Sequence, residues 1–277
     1  MGEPIFRMKR TKEITTMKMC LGAQLYTVRD YMKNEADYRM MMKKIAEIGY
    51  KTVQMSGYNT AEITPAIIKE VTEENNLKVV LTHTAWDRIK NETEQVIEEH
   101  NLFGCDAIGI GGYHGDRSYD GFMRFCEDAA PVIEKIKAAG KVFLYHNHRF
   151  EFEKFVSEST GKVANALEIV MANTDPDGCK LTFNAYWAVA AGADAADFIR
   201  KNGKRIFCTH FKDMAVKNDQ IVMTELLTGT MNYDAIMAAC ADAGIRDLFV
   251  EQDQVFMDAI DSMKISHDNM KARYDLD

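Results

Sequence analysis

Residues 142–152 read Val-Phe-Leu-Tyr-His-Asn-His-Arg-Phe-Glu-Phe. An apolar run delivers two histidines two residues apart, and a carboxylate follows five residues after the first. Side chains alternate across a β-strand, so His146 and His148 emerge on one face and Asn147 on the other. Two imidazoles and a nearby carboxylate at a strand's end suit a metal or an acid–base site. Two half-buried histidines satisfied by neighbouring carbonyls would give the same pattern. The choice turns on what ends the other strands and on how those strands are arranged.

Outward from this stretch, short β-rich runs alternate with longer amphipathic, charged segments. Eight runs read as strands: residues 21–28, 52–56, 79–84, 107–111, 142–148, 180–185, 206–212 and 248–252. Helical patterns fall between them at residues 38–48, 65–74, 88–101, 121–139, 161–172, 194–201 and 233–243, and a last one spans 257–274. Gly49, Gly140 and Gly244 each close a helical pattern just before a strand, the usual helix stop. Regular alternation of this kind implies βα units and a parallel sheet, and nearly continuous apolar strands imply burial on both faces. Eight units in one chain point to a single (β/α)₈ TIM barrel. An open doubly wound sheet is the runner-up, but no Gly-x-Gly-x-x-Gly follows the first strand, so a dinucleotide site has no support.

With 277 residues, 47% hydrophobic and 27% charged, the chain has the composition of a globular protein with a sizeable core. The net charge of −8 argues against a nucleic-acid-binding surface. Six dispersed cysteines without a Cys-x-x-Cys pair read as reduced core thiols, which implies a cytoplasmic location. No apolar run approaches membrane-spanning length. Residues 1–18 are polar and mixed in charge, and read as a short leader; residues 19–277 are expected to form the barrel domain.

The active site of a barrel sits at the C-terminal ends of its strands, so polar residues there carry the functional weight. Strand one supplies Gln24 and Tyr26, strand two Gln54, and strand three ends in Thr-His83-Thr. Strand four ends in Gly-Gly-Tyr113-His114, strand six in Asn184-Ala-Tyr186-Trp187, strand seven in His210-Phe-Lys212-Asp213 and strand eight in Glu251-Gln-Asp253. Five of the seven histidines therefore fall at or just past strand ends; His100 and His267 lie in helical patterns and read as surface residues.

At these residues the sequence resembles the sugar phosphate isomerase/epimerase family, a branch of the xylose-isomerase-like TIM barrels related to inosose dehydratases. The resemblance rests on Gln-Leu-Tyr-Thr-Val-Arg-Asp (24–30), Tyr-His-Asn-His-x-Phe-Glu-Phe (145–152), Tyr-Trp followed by Ala-Gly-Ala-Asp (186–194), His-Phe-Lys-Asp (210–213) and Val-Glu-Gln-Asp (250–253), in order and in register. It implies a divalent metal ion, most often manganese, held by His146, Asn184, His210 and Glu251, with Glu151 a second candidate ligand. Three positions depart from the family pattern. Asn184 stands where aspartate is usual, Gln54 replaces a frequent glutamate, and Glu225-Leu-Leu-Thr-Gly229 replaces Glu-x-Gly-x-Gly. An amide oxygen can coordinate but brings no charge and weakens the hold on a hard cation.

The resemblance thus implies a sugar isomerase or epimerase acting on a small keto-sugar or polyol derivative by metal-assisted proton transfer beside a carbonyl. Related lyase chemistry on the same scaffold, as inosose-type dehydration or cleavage of a 3-keto-glycoside, is the alternative. A metal-free sugar-binding or partner-dependent barrel that has lost turnover is a third reading, motivated by Asn184 and Leu227. His148, Glu151 and then His83 are the candidate proton carriers. Lys212 would neutralise an oxyanion, or else serve as an ion-pair partner of Asp213 or Asp253. Gln24, Tyr26, Gln54, Tyr186, Trp187 and Asp253 are candidate substrate contacts, the two aromatics forming an apolar wall against the sugar. The expected partner is a small-molecule sugar or polyol, with no nucleic acid and no membrane; the resemblance also allows a homo-oligomer. Thr228-Gly229-Thr230 is the only segment suggestive of a phosphate site.

Overall fold

The computed structural model describes residues 18–277, so the expected leader, Lys18 apart, lies outside the described residues. Eight parallel strands close into a barrel: β1 (Cys20–Gln24), β2 (Thr52–Met55), β3 (Lys78–His83), β4 (Ala107–Ile110), β5 (Val142–His146), β6 (Cys179–Asn184), β7 (Ile206–Phe211) and β8 (Asp247–Val250). Each strand pairs with its neighbours in chain order, and β8 closes onto β1. This is the (β/α)₈ barrel expected from the sequence.

The period-two alternation of the strands sets what lies inside. Leu144 precedes His146 by two residues, Cys208 precedes His210 and Phe249 precedes Glu251, so each polar group stands one layer above an apolar one. Leu81, Ala107, Leu144, Cys208 and Phe249 belong to a small buried cluster separate from the main core. Gly22 makes room for it: a Cβ there would come within 2.5 Å of the Phe249 ring. The interior is thus filled from below, and its polar upper layer forms the floor of the mouth. All six cysteines are buried and unpaired. Among the described residues no helix is long and apolar enough to cross a membrane.

Several boundaries differ from the sequence expectation, each for a local reason. The first strand stops at Gln24, whose side-chain carbonyl accepts the Tyr26 N–H and turns residues Leu25–Tyr31 into a 3₁₀ helix. The helix expected over residues 88–101 breaks at Glu92, which leaves helical geometry (φ −128°, ψ 36°), into Trp86–Asn91 and Thr93–Leu102. Residues 161–164, expected to start the helix after β5, instead belong to a two-stranded hairpin, Phe155–Val156 with Val163–Ala164. The helix then begins at Ala166, fixed by a capping box between Asn165 and Glu168. A second hairpin, Asp213–Lys217 with Gln220–Thr224, follows β7 and turns on Asn218 and Asp219, both with positive φ.

His100 and His267 are not surface residues. His100 is 3% exposed; its Nε2 lies 2.8 Å from Thr82 Oγ1 and its Nδ1 2.7 Å from the Val96 carbonyl. Both ring nitrogens find partners within the helix-to-barrel interface, so burial costs little. His267 is also buried, edge-on to Tyr50 with ring centroids 4.9 Å apart.

Candidate active site

The upper ends of β5, β6, β7 and β8 bring His146, Asn184, His210 and Glu251 together. His146, His210 and Glu251 each offer a ligand atom, and those atoms lie within 4.8 Å of one another. His146 Nδ1 lies 3.0 Å from the Gly111 carbonyl, so the ring donates there and turns the lone pair of Nε2 inward. His210 Nε2 lies 2.5 Å from Gln54 Oε1 and must donate to it. That leaves His210 Nδ1 without a hydrogen bond although it lies 3.2 Å from Glu251 Oε1. A lone pair aimed at a carboxylate at that range is unfavourable unless a proton or a cation stands between them.

Glu251 is the hub. Its Oε1 accepts from Gln24 Nε2 at 2.9 Å, and its Oε2 accepts from Asn184 Nδ2 at 2.7 Å and from the ammonium of Lys212. Burial pushes this carboxyl up, but Lys212 and His210 outweigh it and hold it well below the usual carboxylate range. Lys212 is fully buried; Glu251 and Asp253, the latter 2.7 Å from Nζ, overcome its burial and raise its pKa. Asp213, the other expected partner, instead accepts the backbone N–H groups of Met214, Gly229 and Met231. The same contacts explain why residues 228–230 make no phosphate cradle. The Gly229 N–H is taken by Asp213, and the Thr228 and Thr230 hydroxyls donate to the carbonyls of Glu225 and Met214.

Asn184 is held from below by Asn147. The Asn147 amide accepts the Asn184 N–H at 2.9 Å and donates to the Asn184 carbonyl at 3.3 Å, continuing the β5–β6 ladder one step past the end of β5. The Asn184 side chain then caps the helix that follows by accepting the Trp187 N–H at 3.3 Å, and its Nδ2 lies 3.2 Å from His146 Nε2.

His83 and His148 flank His146, with ring centroids 5.0 and 4.8 Å from it. His83 Nε2 and His148 Nδ1 are buried atoms without a hydrogen-bond partner. Burial, followed by the neighbouring His210, pushes His83 down to about 3; burial also lowers His148, while Glu251 and Asp253 pull the other way. Both rings are therefore neutral at pH 7. Gly111 and Gly112 keep the space beside them clear: a Cβ would come within 3.1 Å of His83 Nδ1 in the first case and 2.9 Å of His148 Cε1 in the second.

A cavity of about 680 Å³ opens above this floor. Of the residues singled out in the sequence, Gln24, Tyr26, His83, His146, His148, Glu251 and Asp253 line it. Gln54, Asn184 and His210 lie buried in the layer that holds those groups in place. Glu151 stands elsewhere: fully buried, it accepts the His148 N–H at 2.7 Å and the Tyr145 hydroxyl at 3.1 Å, and burial pushes it up to about 7. Tyr186 and Trp187 cover Lys212, with Nζ 5.3 and 5.1 Å from their ring centroids, and do not line the cavity. Trp86 and Tyr113 join Tyr26 as its large aromatic side chains instead. Trp86 lies in a helix next to strand three and carries no motif, so sequence reasoning passed over it.

The chain belongs to the xylose isomerase-like TIM barrel family, whose model matches residues 42–254. Among solved structures it is similar to a sugar phosphate isomerase/epimerase from Parabacteroides distasonis ATCC 8503, at 19% identity over 96% of this chain and 98% of that one, with a TM-score of 0.77. The probable 3-DHS dehydratase AsbF from Bacillus anthracis, involved in petrobactin synthesis, aligns at 14% identity over 92% of this chain and 100% of that one, with a TM-score of 0.71. The IOLI protein, solved with a binding zinc atom, aligns at 13% identity over 92% of this chain and 97% of that one, with a TM-score of 0.67. At these identities the likeness is one of fold. Comparison with proteins of curated function found no match.

Proposed function

We propose that this barrel is a sugar isomerase or epimerase that moves a proton at the carbon next to a carbonyl of a keto-sugar or polyol derivative. The observation that carries the reading is the pair of unpartnered ring nitrogens, His83 Nε2 and His148 Nδ1, on rings that adjoin the His146–His210–Glu251 cluster. Buried polar atoms are normally satisfied, and the two rings that carry these line the cavity.

The cluster suits a divalent ion. His146 and His210 have their tautomers set by Gly111 and Gln54, leaving one unprotonated nitrogen each; His210 Nδ1 has no other partner, and His146 Nε2 is met by Asn184 Nδ2. His146, His210 and Glu251 would hold the ion, with the Asn184 amide oxygen as a fourth ligand once the amide is turned. Two imidazoles and one carboxylate favour zinc or cobalt over manganese, which prefers a set richer in oxygen. When bound, the ion would polarise the carbonyl and stabilise the enediolate.

The residues of the chain do the rest. One neutral imidazole takes the proton from the carbon next to the carbonyl, and the C–H electron pair moves into that carbonyl to give an enediolate. Return of that proton from the same imidazolium to the former carbonyl carbon, with the neighbouring hydroxyl proton passing to the former carbonyl oxygen, isomerises the sugar. Inversion of the centre takes its proton from water on the opposite face, the imidazolium then losing its own to solvent. His148 is the better base, because the pKa of His83 lies too low for efficient abstraction near pH 7; His83 donates to the substrate oxygen. Gln24 and Asp253 orient hydroxyls, while Lys212 holds Glu251 ionised from behind. Glu151 acts through the His148 backbone and is a positioning residue.

Incubating the protein with a panel of keto-sugars in D₂O tests this. The expected result is deuterium at the carbon beside the carbonyl, seen by NMR and lost by about 100-fold or more in His148→Asn. Elimination would show the same label with loss of a leaving group, and a barrel without turnover would bind without labelling.

A further inference from the structure

The cavity is larger than its catalytic floor requires. Its inner end is the buried layer of His83, His146, His148 and Glu251, and its outer end is formed by Trp86, Asp87, Lys90, Tyr113, His114 and Asp128. Pockets of about 300–1,000 Å³ serve drug-sized ligands of more than one ring, and this one measures about 680 Å³. The two ends join at Gly111 and Gly112, where side chains would crowd His83 and His148 and narrow the passage.

The outer end is built to receive a ring. Trp86 and Tyr113 both pack on Phe125, each with ring centroids 5.0 Å from it, so both are fixed before any ligand arrives. Tyr113 is seated against Gly115, where a Cβ would come within 2.3 Å of the phenolic oxygen. The polar groups between them are hydroxyl partners more than anion receptors. Lys90 already pairs with Asp128 at 2.5 Å, and Asp87 adds a second carboxylate. A phosphate would meet two acidic groups and one committed cation there, whereas a neutral polyhydroxylated ring would find aromatic faces and acceptors together.

We propose that the substrate has two parts: a keto-sugar over the histidine floor and a second, uncharged ring, most simply a glycosyl unit, held at Trp86 and Tyr113. This rests on the sugar reading above and narrows it to glycosylated keto-sugars.

Calorimetric titration with D-fructose and with two glycosylated fructoses, lactulose and isomaltulose, tests it. The better of the two-ring probes is expected to bind about tenfold tighter than fructose. In Trp86→Ala and, independently, in His114→Ala, whose side chain is exposed, the ratio of those affinities falls toward one. Equal affinities in the wild type, or a ratio unmoved by both substitutions, would overturn the two-part substrate while leaving the sugar reading intact. Absence of binding by all three sugars would overturn both.

Discussion

The side-chain amide of Asn147 grips the main chain of Asn184 on both sides, accepting its N–H at 2.9 Å and donating to its carbonyl at 3.3 Å. Asn147 is 1% exposed, so truncation would leave two backbone groups without a partner. Asn147→Ala is expected to destabilise the fold by about 1–3 kcal/mol in denaturant unfolding. The same substitution should weaken divalent-ion binding, because Asn184 loses its footing. Asn147→Asp keeps the acceptor and should fall between the two.

Asn184→Asp restores a carboxylate directly against Glu251, where Nδ2 now donates at 2.7 Å. Without a cation, two carboxylates at that distance repel, and the melting temperature should fall. With zinc or manganese present the added charge should tighten binding about tenfold or more, measured by calorimetry, and the melting temperature should recover past the wild type. Ion affinity unchanged by the added carboxylate would count against a cation at this position.

Glu151 links stability to pH. Burial raises its pKa to about 7 in the folded chain, above the value near 4.5 in the unfolded one. The folded state therefore binds the extra proton between those values, so its contribution is complete below pH 4.5 and is lost as pH rises through 7. The loss amounts to about 3 kcal/mol. Glu151→Gln should flatten this part of the pH dependence of unfolding relative to the wild type between pH 5 and 8; parallel curves would show that Glu151 does not titrate there.

His100 offers a control for structure without function. Replacing it by alanine removes bonds to Thr82 and Val96 in a closed interface and should cost about 2–4 kcal/mol. Labelling activity per folded molecule should stay within about twofold, since His100 lies outside the cavity.

The barrel was legible because its signal is repetitive: eight apolar runs, helix stops before strands, and polar residues at each strand's end. The placement of His83, His146, His148, His210 and Glu251 at one mouth follows from period two and strand order alone. What escaped depended on contacts between distant segments. Residues 161–164 read as the start of a helix because their apolar spacing is compatible with either form, and only pairing across Val156 and Val163 decides. His100 looked exposed because Thr82, eighteen residues away, is what satisfies it. Glu151 shares a motif with His148, yet the 3₁₀ turn Phe150–Phe152 folds its carboxylate back beneath the strand end. Position 227 shows the converse: Leu227 holds a left-handed conformation (φ 63°) at the position where the resemblance leads one to expect glycine.

His146, His210 and Glu251 are proposed to hold a divalent ion beside His83 and His148. Anomalous diffraction at the zinc edge, on crystals of protein purified without chelator and supplied with zinc, tests it most directly. One anomalous peak per chain is expected between His146 Nε2, His210 Nδ1 and Glu251, absent in His210→Ala. No peak there, with Glu251 still shared by Gln24, Asn184 and Lys212, would contradict it.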